Sequence, residues 1–158
     1  MSDSDFEIKK YTPDLKNIWN DFVESSKNGT FLFNRDYMDY HSDRFQDNSY
    51  LFYHKGKIYC LLPANRMNDV LYSHQGLTYG GLIMNDKCTA EGILKVFEVL
   101  IQELKFKGIK SLIYKPVPYI YHSQPSEEDL YALFRNNAKL CVRNISSTIS
   151  LNNPIPFS

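Results

Sequence analysis

The alternation of apolar and polar positions divides the chain into its elements. Phe6-Glu7-Ile8-Lys9-Lys10-Tyr11 steps in twos, the pattern of a half-buried strand. Thr12-Pro13-Asp14 then predicts a helix start, with Thr12 as cap, Pro13 at the first helical position and Asp14 against the positive dipole end. Leu15, Ile18, Trp19, Phe22 and Val23 recur at helical spacing as one stripe, which Ser25-Ser26-Lys27-Asn28-Gly29 ends. After the apolar link Thr30-Phe31-Leu32-Phe33, Asn34 caps a second predicted helix carrying Tyr37, Met38, His41 and Phe45 on one face.

The period then changes to strands. Tyr50-Leu51-Phe52-Tyr53 and Lys57-Ile58-Tyr59-Cys60-Leu61-Leu62 flank a turn at His54-Lys55-Gly56, and a second turn at Asn65 to Asp69 leads into Val70-Leu71-Tyr72-Ser73. These three strands are expected to form an antiparallel meander. Beyond the glycine-rich stretch 73–82, a long helix is predicted from about Thr89. Its stripe is Ile93, Leu94, Phe97, Leu100, Ile101 and Leu104, and Gly108 lies just past its end. Ile109 to Tyr114 is a strand ended by Lys115-Pro116-Val117-Pro118. Ser126 is expected to cap a further helix with Leu130, Leu133, Phe134 and Ala138 inward, and Cys141 to Leu151 alternates as a last strand. The predicted order is β-α-α-β-β-β-α-β-α-β. It implies an α/β (α+β) mixed sheet with helices on both faces, one domain over residues 1–152, and a Pro-rich linker or truncated end over 153–158.

Composition narrows the function classes. Lys+Arg and Asp+Glu number 18 each, which argues against non-specific DNA or anionic-membrane binding as the main role. No apolar run reaches membrane-spanning length, and the acidic start Met1 to Asp5 is unlike a signal peptide, so the expectation is a cytoplasmic protein without membrane insertion. Cys60, Cys88 and Cys141 are odd in number and widely spaced, and read as buried free thiols. Twelve tyrosines fit a Tyr-rich core and surface, and Tyr is also the residue expected around a sugar or an interface. The triplets at Asn28 and Asn144 match glycosylation sequons, which are without meaning in a cytosolic protein.

The candidate chemistry centres on Ser73-His74-Gln75-Gly76-Leu77-Thr78-Tyr79-Gly80-Gly81-Leu82, a glycine-rich stretch between strands and the long helix. Such a loop either cradles phosphates on its amides or makes a strand-end turn needing positive φ. The sheet is expected to open near residues 79–81, leaving room for a ligand. Lys115, placed by the prolines at the carboxyl edge of the sheet, could meet a phosphate or carboxylate, or be a surface lysine. No metal-ligand spacing, phosphate-loop signature or nucleophile triad order is present.

The predicted order resembles the GNAT fold of N-acetyltransferases. Within it, Phe33-Asn34-Arg35-Asp36-Tyr37-Met38-Asp39-Tyr40-His41 resembles the "R-x-Y-M" helix of FemAB-like members, Ser73 to Gly81 their post-meander loop, and Lys115 to His122 with Glu127 to Leu133 a further string of that branch. The chain is similar to the first half of a tandem GNAT-like protein. This resemblance implies acyl transfer from acetyl-CoA or a similar donor to an amine on a small molecule or cell-envelope precursor. The alternative it implies is a non-catalytic half that binds substrate or packs on a catalytic partner domain, and a homodimer is also open. It further implies Tyr79 and His74 as catalytic candidates, with Glu127 and Tyr121 as other available acid–base types. Gly80, Gly81 and Leu82 become the acyl-donor cradle, and Lys115, Tyr119 and His122 the substrate-binding set, with no metal. The chain departs from the family's Q/R-x-x-G-x-G/A loop: Gly76 follows Gln75 directly, and residues 82–88 separate Gly80-Gly81 from the helix. That spacing favours the strand-end turn over the donor cradle.

Overall fold

The computed structural model describes residues 5–40, 42–145, 147, 149, 151 and 152. Strand β1 (Phe6–Lys10) is followed by a 3-10 turn (Pro13–Leu15) and helix α1 (Lys16–Ser25). Thr12 makes no side-chain cap, because the chain enters through the tighter 3-10 turn that Pro13 starts. Trp19, Phe22 and Val23 are buried as the stripe predicted, whereas Ile18 is half exposed. A second 3-10 turn (Phe31–Phe33) leads to α2 (Arg35–Asp39), whose cap is Asn34, its side chain accepting from the Asp36 amide. This helix is one turn long and buries Met38 but not Tyr37. It stops short of Phe45, and His41 lies outside the described residues.

Arg35, fully buried, explains why so short a helix is held in place. Its guanidinium stacks between the rings of Tyr11 (3.4 Å) and Trp19 (4.1 Å) and pairs with Asp47, tying α2 to β1, α1 and the segment before the hairpin.

The hairpin follows the sequence closely. Strands β2 (Tyr50–His54) and β3 (Lys57–Leu62) pair antiparallel across Lys55-Gly56, both at positive φ, the geometry of a two-residue hairpin turn. Alternation across the sheet sorts its side chains into two cores. Leu51, Leu61 and Ile83 face α1 with Trp19, Phe22 and Phe33, while Tyr50, Phe52, Cys60, Leu62 and Met84 face the long helix α3 (Ala90–Phe106). Helices on both faces are therefore correct. Thr89 caps α3 by accepting from Gly92 N (3.1 Å), and Gly108 takes positive φ beyond its end.

The meander is different from the expectation. Asn65 to Met67 is not a turn but strand β4, joined to β5 (Val70–Tyr72) by a two-residue turn with Asn68 at positive φ. The chain bends at Pro63-Ala64, so β5 leaves the first sheet. It pairs with β4 and, in parallel, with β7 (Ser111–Ile113). The place beside β3 goes to β6 (Ile83–Met84), which follows the glycine-rich stretch. Two sheets result, ordered β1-β2-β3-β6 and β4-β5-β7. A single-sequence alternation pattern cannot reveal which of two nearby short strands pairs with β3.

Two further corrections fall at the C-terminal side. Helix α4 (Glu128–Arg135) is not capped by Ser126, whose hydroxyl donates to Glu128 instead. It buries Asp129 and Ala132 and leaves Leu130 and Phe134 outward, since the Tyr114 hydroxyl draws Asp129 inward. The described residues between 139 and 151 form no strand and are exposed, against the alternation read there, and Cys141 is an exposed thiol while Cys60 and Cys88 are buried. Residues 153–158 lie outside the described set.

Candidate functional site: a closed split and an open cleft

Against the expected opening near residues 79–81, the two sheets part after β3, and residues 79–82 are bonded and packed within the protein. The Gly80 amide donates to Lys115 O (2.9 Å), and the Leu82 amide donates to the Tyr114 hydroxyl (2.6 Å). A Cβ on Gly80 would stand 1.7 Å from the Ser73 carbonyl oxygen, and one on Gly81 would stand 2.8 Å from the Tyr114 hydroxyl oxygen. These glycines serve chain-against-chain packing, with positive φ at Gly81 and, unexpectedly, at His74. The stretch follows β5 as a turn, with Gly80 and Gly81 packed against Ser73 and Tyr114. Two of the three amides assigned to a donor cradle, those of Gly80 and Leu82, are bonded inside the protein.

The other candidates of this stretch are likewise engaged. Tyr79 is buried, donates to Thr30 Oγ1 (3.1 Å), stacks on Tyr121 at 5.0 Å and meets Phe33 edge-on. Burial pushes its phenol pKa up. His74 is buried with its ring edge-on to Phe45. Lys115 is the staple of the loop. Its amide donates to Ser73 Oγ (2.7 Å), its carbonyl receives Gly80, and its ammonium donates to Leu77 O (2.6 Å). Desolvation lowers the Lys115 pKa.

Tyr114 and Asp129 lock the split from the α4 side. The Tyr114 hydroxyl donates to Asp129 Oδ2 (2.6 Å) while accepting from Leu82. Burial, then the Asp129 carboxylate, pushes the Tyr114 pKa well up, so the hydroxyl stays a donor, and burial raises the Asp129 pKa as well.

Tyr119 and His122 lie elsewhere, and the structure does bring them together. They line a cleft of about 560 Å³ with Pro125, Glu127, Tyr131 and Ala90, the first residue of α3. His122 Nε2 lies 3.1 Å from the Val117 carbonyl, which fixes the proton on Nε2 in the neutral ring. Tyr119 and Tyr131 expose their rings, and the Glu127 side chain is outward. Glu128, which lines the cleft, pairs with the buried Lys27 ammonium. Burial pushes the Glu128 pKa up, but the hydrogen bonds from Lys27 and Ser126 more than offset this and leave it lowered. Lys27 and Tyr131 were not singled out by the sequence; Lys27 reads there only as part of a helix end. No Lys or Arg lines the cleft. Lys55, Lys57, Lys87 and Lys95 border a separate hollow of about 780 Å³ beside the hairpin turn.

No family profile and no curated protein sequence matches the chain. Solved structures do. An aminoglycoside acetyltransferase from an uncultured soil metagenomic sample, solved with trehalose and with sisomicin, superposes at TM-score 0.54 and 14% identity, covering 94% of this chain and 99% of that one. An aminoglycoside N-acetyltransferase in complex with CoA superposes at TM-score 0.51 and 11% identity, over 90% and 93% of the two chains. The fold is that of the GNAT N-acetyltransferases. A partial match to the ribosomal-protein-S18-alanine N-acetyltransferase of Escherichia coli has TM-score 0.49 and 13% identity, and the chain spans 64% of that protein's length.

Within this GNAT fold, the residues present do not fit acetyl-CoA at Gly80, Gly81 and Leu82. Two of the amides are bonded internally, and packed side chains occupy the adjoining space. Among the described residues no helix is long and apolar enough to cross a membrane, and no group of His, Cys, Asp or Glu could hold a metal ion.

Proposed function

We propose that the chain is a GNAT-type acyltransferase module acting on an amine of a small molecule or cell-envelope precursor, with acetyl-CoA or a similar acyl donor. Its own contribution is the acceptor-binding cleft of Tyr119, His122, Glu127 and Tyr131. The observation that supports this is the cleft's position in the fold, where the N-termini of α3 and α4 meet and two residues expected to bind substrate line one concavity. Exposed tyrosine rings suit the apolar face of a sugar or an amine-bearing chain, and Glu127 suits an ammonium group. The FemAB-like strings around Arg35 and Lys115 extend the reading to a tandem protein whose second half completes the site. The same reading has the protein act in the cytoplasm.

A second reading has its own support. The closed split favours a non-catalytic half that binds the acceptor for a partner domain, or a second copy of the chain. Mass spectrometry of an amine panel incubated with the protein and acetyl-CoA separates the two. Acetylated product that falls in Tyr131→Ala supports transfer. Acceptor binding without product at any amine rejects it in favour of the second reading.

A further inference from the structure

One edge of β6 pairs with β3, through Cys60 with Met84 and Leu61 with Ile83. Its other edge faces the split. There, Leu82 O accepts from Asn28 Nδ2 (2.9 Å), Met84 N donates to Asn28 Oδ1 (2.7 Å), and Met84 O accepts from Lys27 N (2.8 Å). The carboxamide of Asn28 offers one donor and one acceptor, as a peptide unit of a neighbouring strand would. Lys27 O in turn receives the Ser123 amide and hydroxyl, both at 2.9 Å, which carries the bonding on to the turn that holds Tyr119 and His122. Asn28 and Lys27 are almost fully buried. Gly29 is needed behind them, since a Cβ there would stand 2.2 Å from Ser26 Oγ. From the opposite side, Tyr114 takes the Leu82 amide.

We infer that this domain fills its own sheet split with a strand surrogate, Lys27-Asn28, latched by Tyr114, so that an acyl donor used with it is held outside the split. The inference deepens the acyl-transfer reading by stating where its donor is not bound. Each polar group on the open edge of β6 already has a buried protein partner, and a ligand amide entering there must displace Asn28 or Tyr114. The segment leaves α1 at its C-terminus and is tied to α4 by the ion pair from Lys27 to Glu128.

Amide hydrogen exchange on the full chain, with and without millimolar acetyl-CoA, tests this alongside the acetylation assay. The expected result is slow exchange at Lys27, Leu82 and Met84, changed by acetyl-CoA no more than the amides of the β2–β3 core are, because these amides open only with the global fold and a donor bound anywhere on the folded protein slows all such amides alike. Acetyl-CoA slowing or releasing these three amides by more than about tenfold relative to the β2–β3 core amides overturns the inference. Asn28→Asp, which keeps the acceptor for Met84 N and removes the donor to Leu82 O, is expected to speed exchange at Met84 without creating acetyl-CoA binding. Product formed with the three amides unchanged relative to that core upholds both ideas, and product formed with them changed relative to it overturns only this one. No product from any amine, with them unchanged relative to it, overturns only the acyl-transfer reading.

Discussion

The closed split and the open cleft lie on either side of the same turn, Pro118 to Ser123, and are built on opposite plans. In the split, every group of interest is buried and bonded to the chain itself: Gly80 to Lys115, Leu82 to Tyr114, Asn28 to both ends of β6. In the cleft, Tyr119, Glu127 and Tyr131 face outward. The glycines that look most like ligand chemistry therefore serve packing. The tyrosines and acids, which look like ordinary surface and first-turn residues, line an open concavity. A glycine that lets backbone approach closely does so equally for a ligand and for a neighbouring strand.

Substitutions can break this contrast. The largest effect is expected from Gly80→Ala. Its new Cβ would meet the Ser73 carbonyl oxygen at 1.7 Å, so β5 and the loop must move apart, at a cost of about 3 kcal/mol or more in urea unfolding. Asn28→Ala comes next. It leaves the Leu82 carbonyl and the Met84 amide buried without their partner, for roughly 2 to 3 kcal/mol by the same measurement. Tyr114→Phe removes the shared hydroxyl between Leu82 and Asp129 and is expected to cost about 2 kcal/mol. If either of the last two is neutral, the split is not the sealed region described.

The acid side of the stability curve sharpens the comparison further. Glu128 has a lowered pKa in the folded protein, so its contribution is present above its ordinary pKa of 4.5 and is lost as pH falls through the lower folded value. Glu128→Gln should flatten that acid limb, read as the dependence of the unfolding midpoint on pH. The smallest stability change belongs to the cleft. Tyr131→Ala should shift stability by no more than about 1 kcal/mol, because the residue is 44% exposed and outside the buried core, yet it should lower acceptor binding several-fold in calorimetry.

Much of the fold was legible because periodicity reports burial directly. The α1 stripe at Trp19, Phe22 and Val23, the hairpin over Lys55-Gly56, and the span and cap of α3 all follow from local spacing and turn chemistry. The site was legible only in part. Tyr119 and His122 stand in a Pro-flanked string that drew attention by resemblance. Tyr131 sits four residues after Glu127 at the start of α4, where helical spacing places both on one side. Asn28 carried no such signal: in the sequence it belongs to a helix-ending run, and nothing local says its carboxamide will replace a strand.

What the sequence determined by itself is helices α1 and α3, the Asn34 cap of α2 and the β2–β3 hairpin, since each depends on neighbours within a few residues. Tertiary structure decided whether β5 or β6 lies beside β3, what fills the gap between the sheets, and which polar groups are left facing solvent. Those outcomes depend on hydrogen bonds between residues 54 and 56 positions apart, from Asn28 to Leu82 and Met84, and a short strand carries no local record of such a partner.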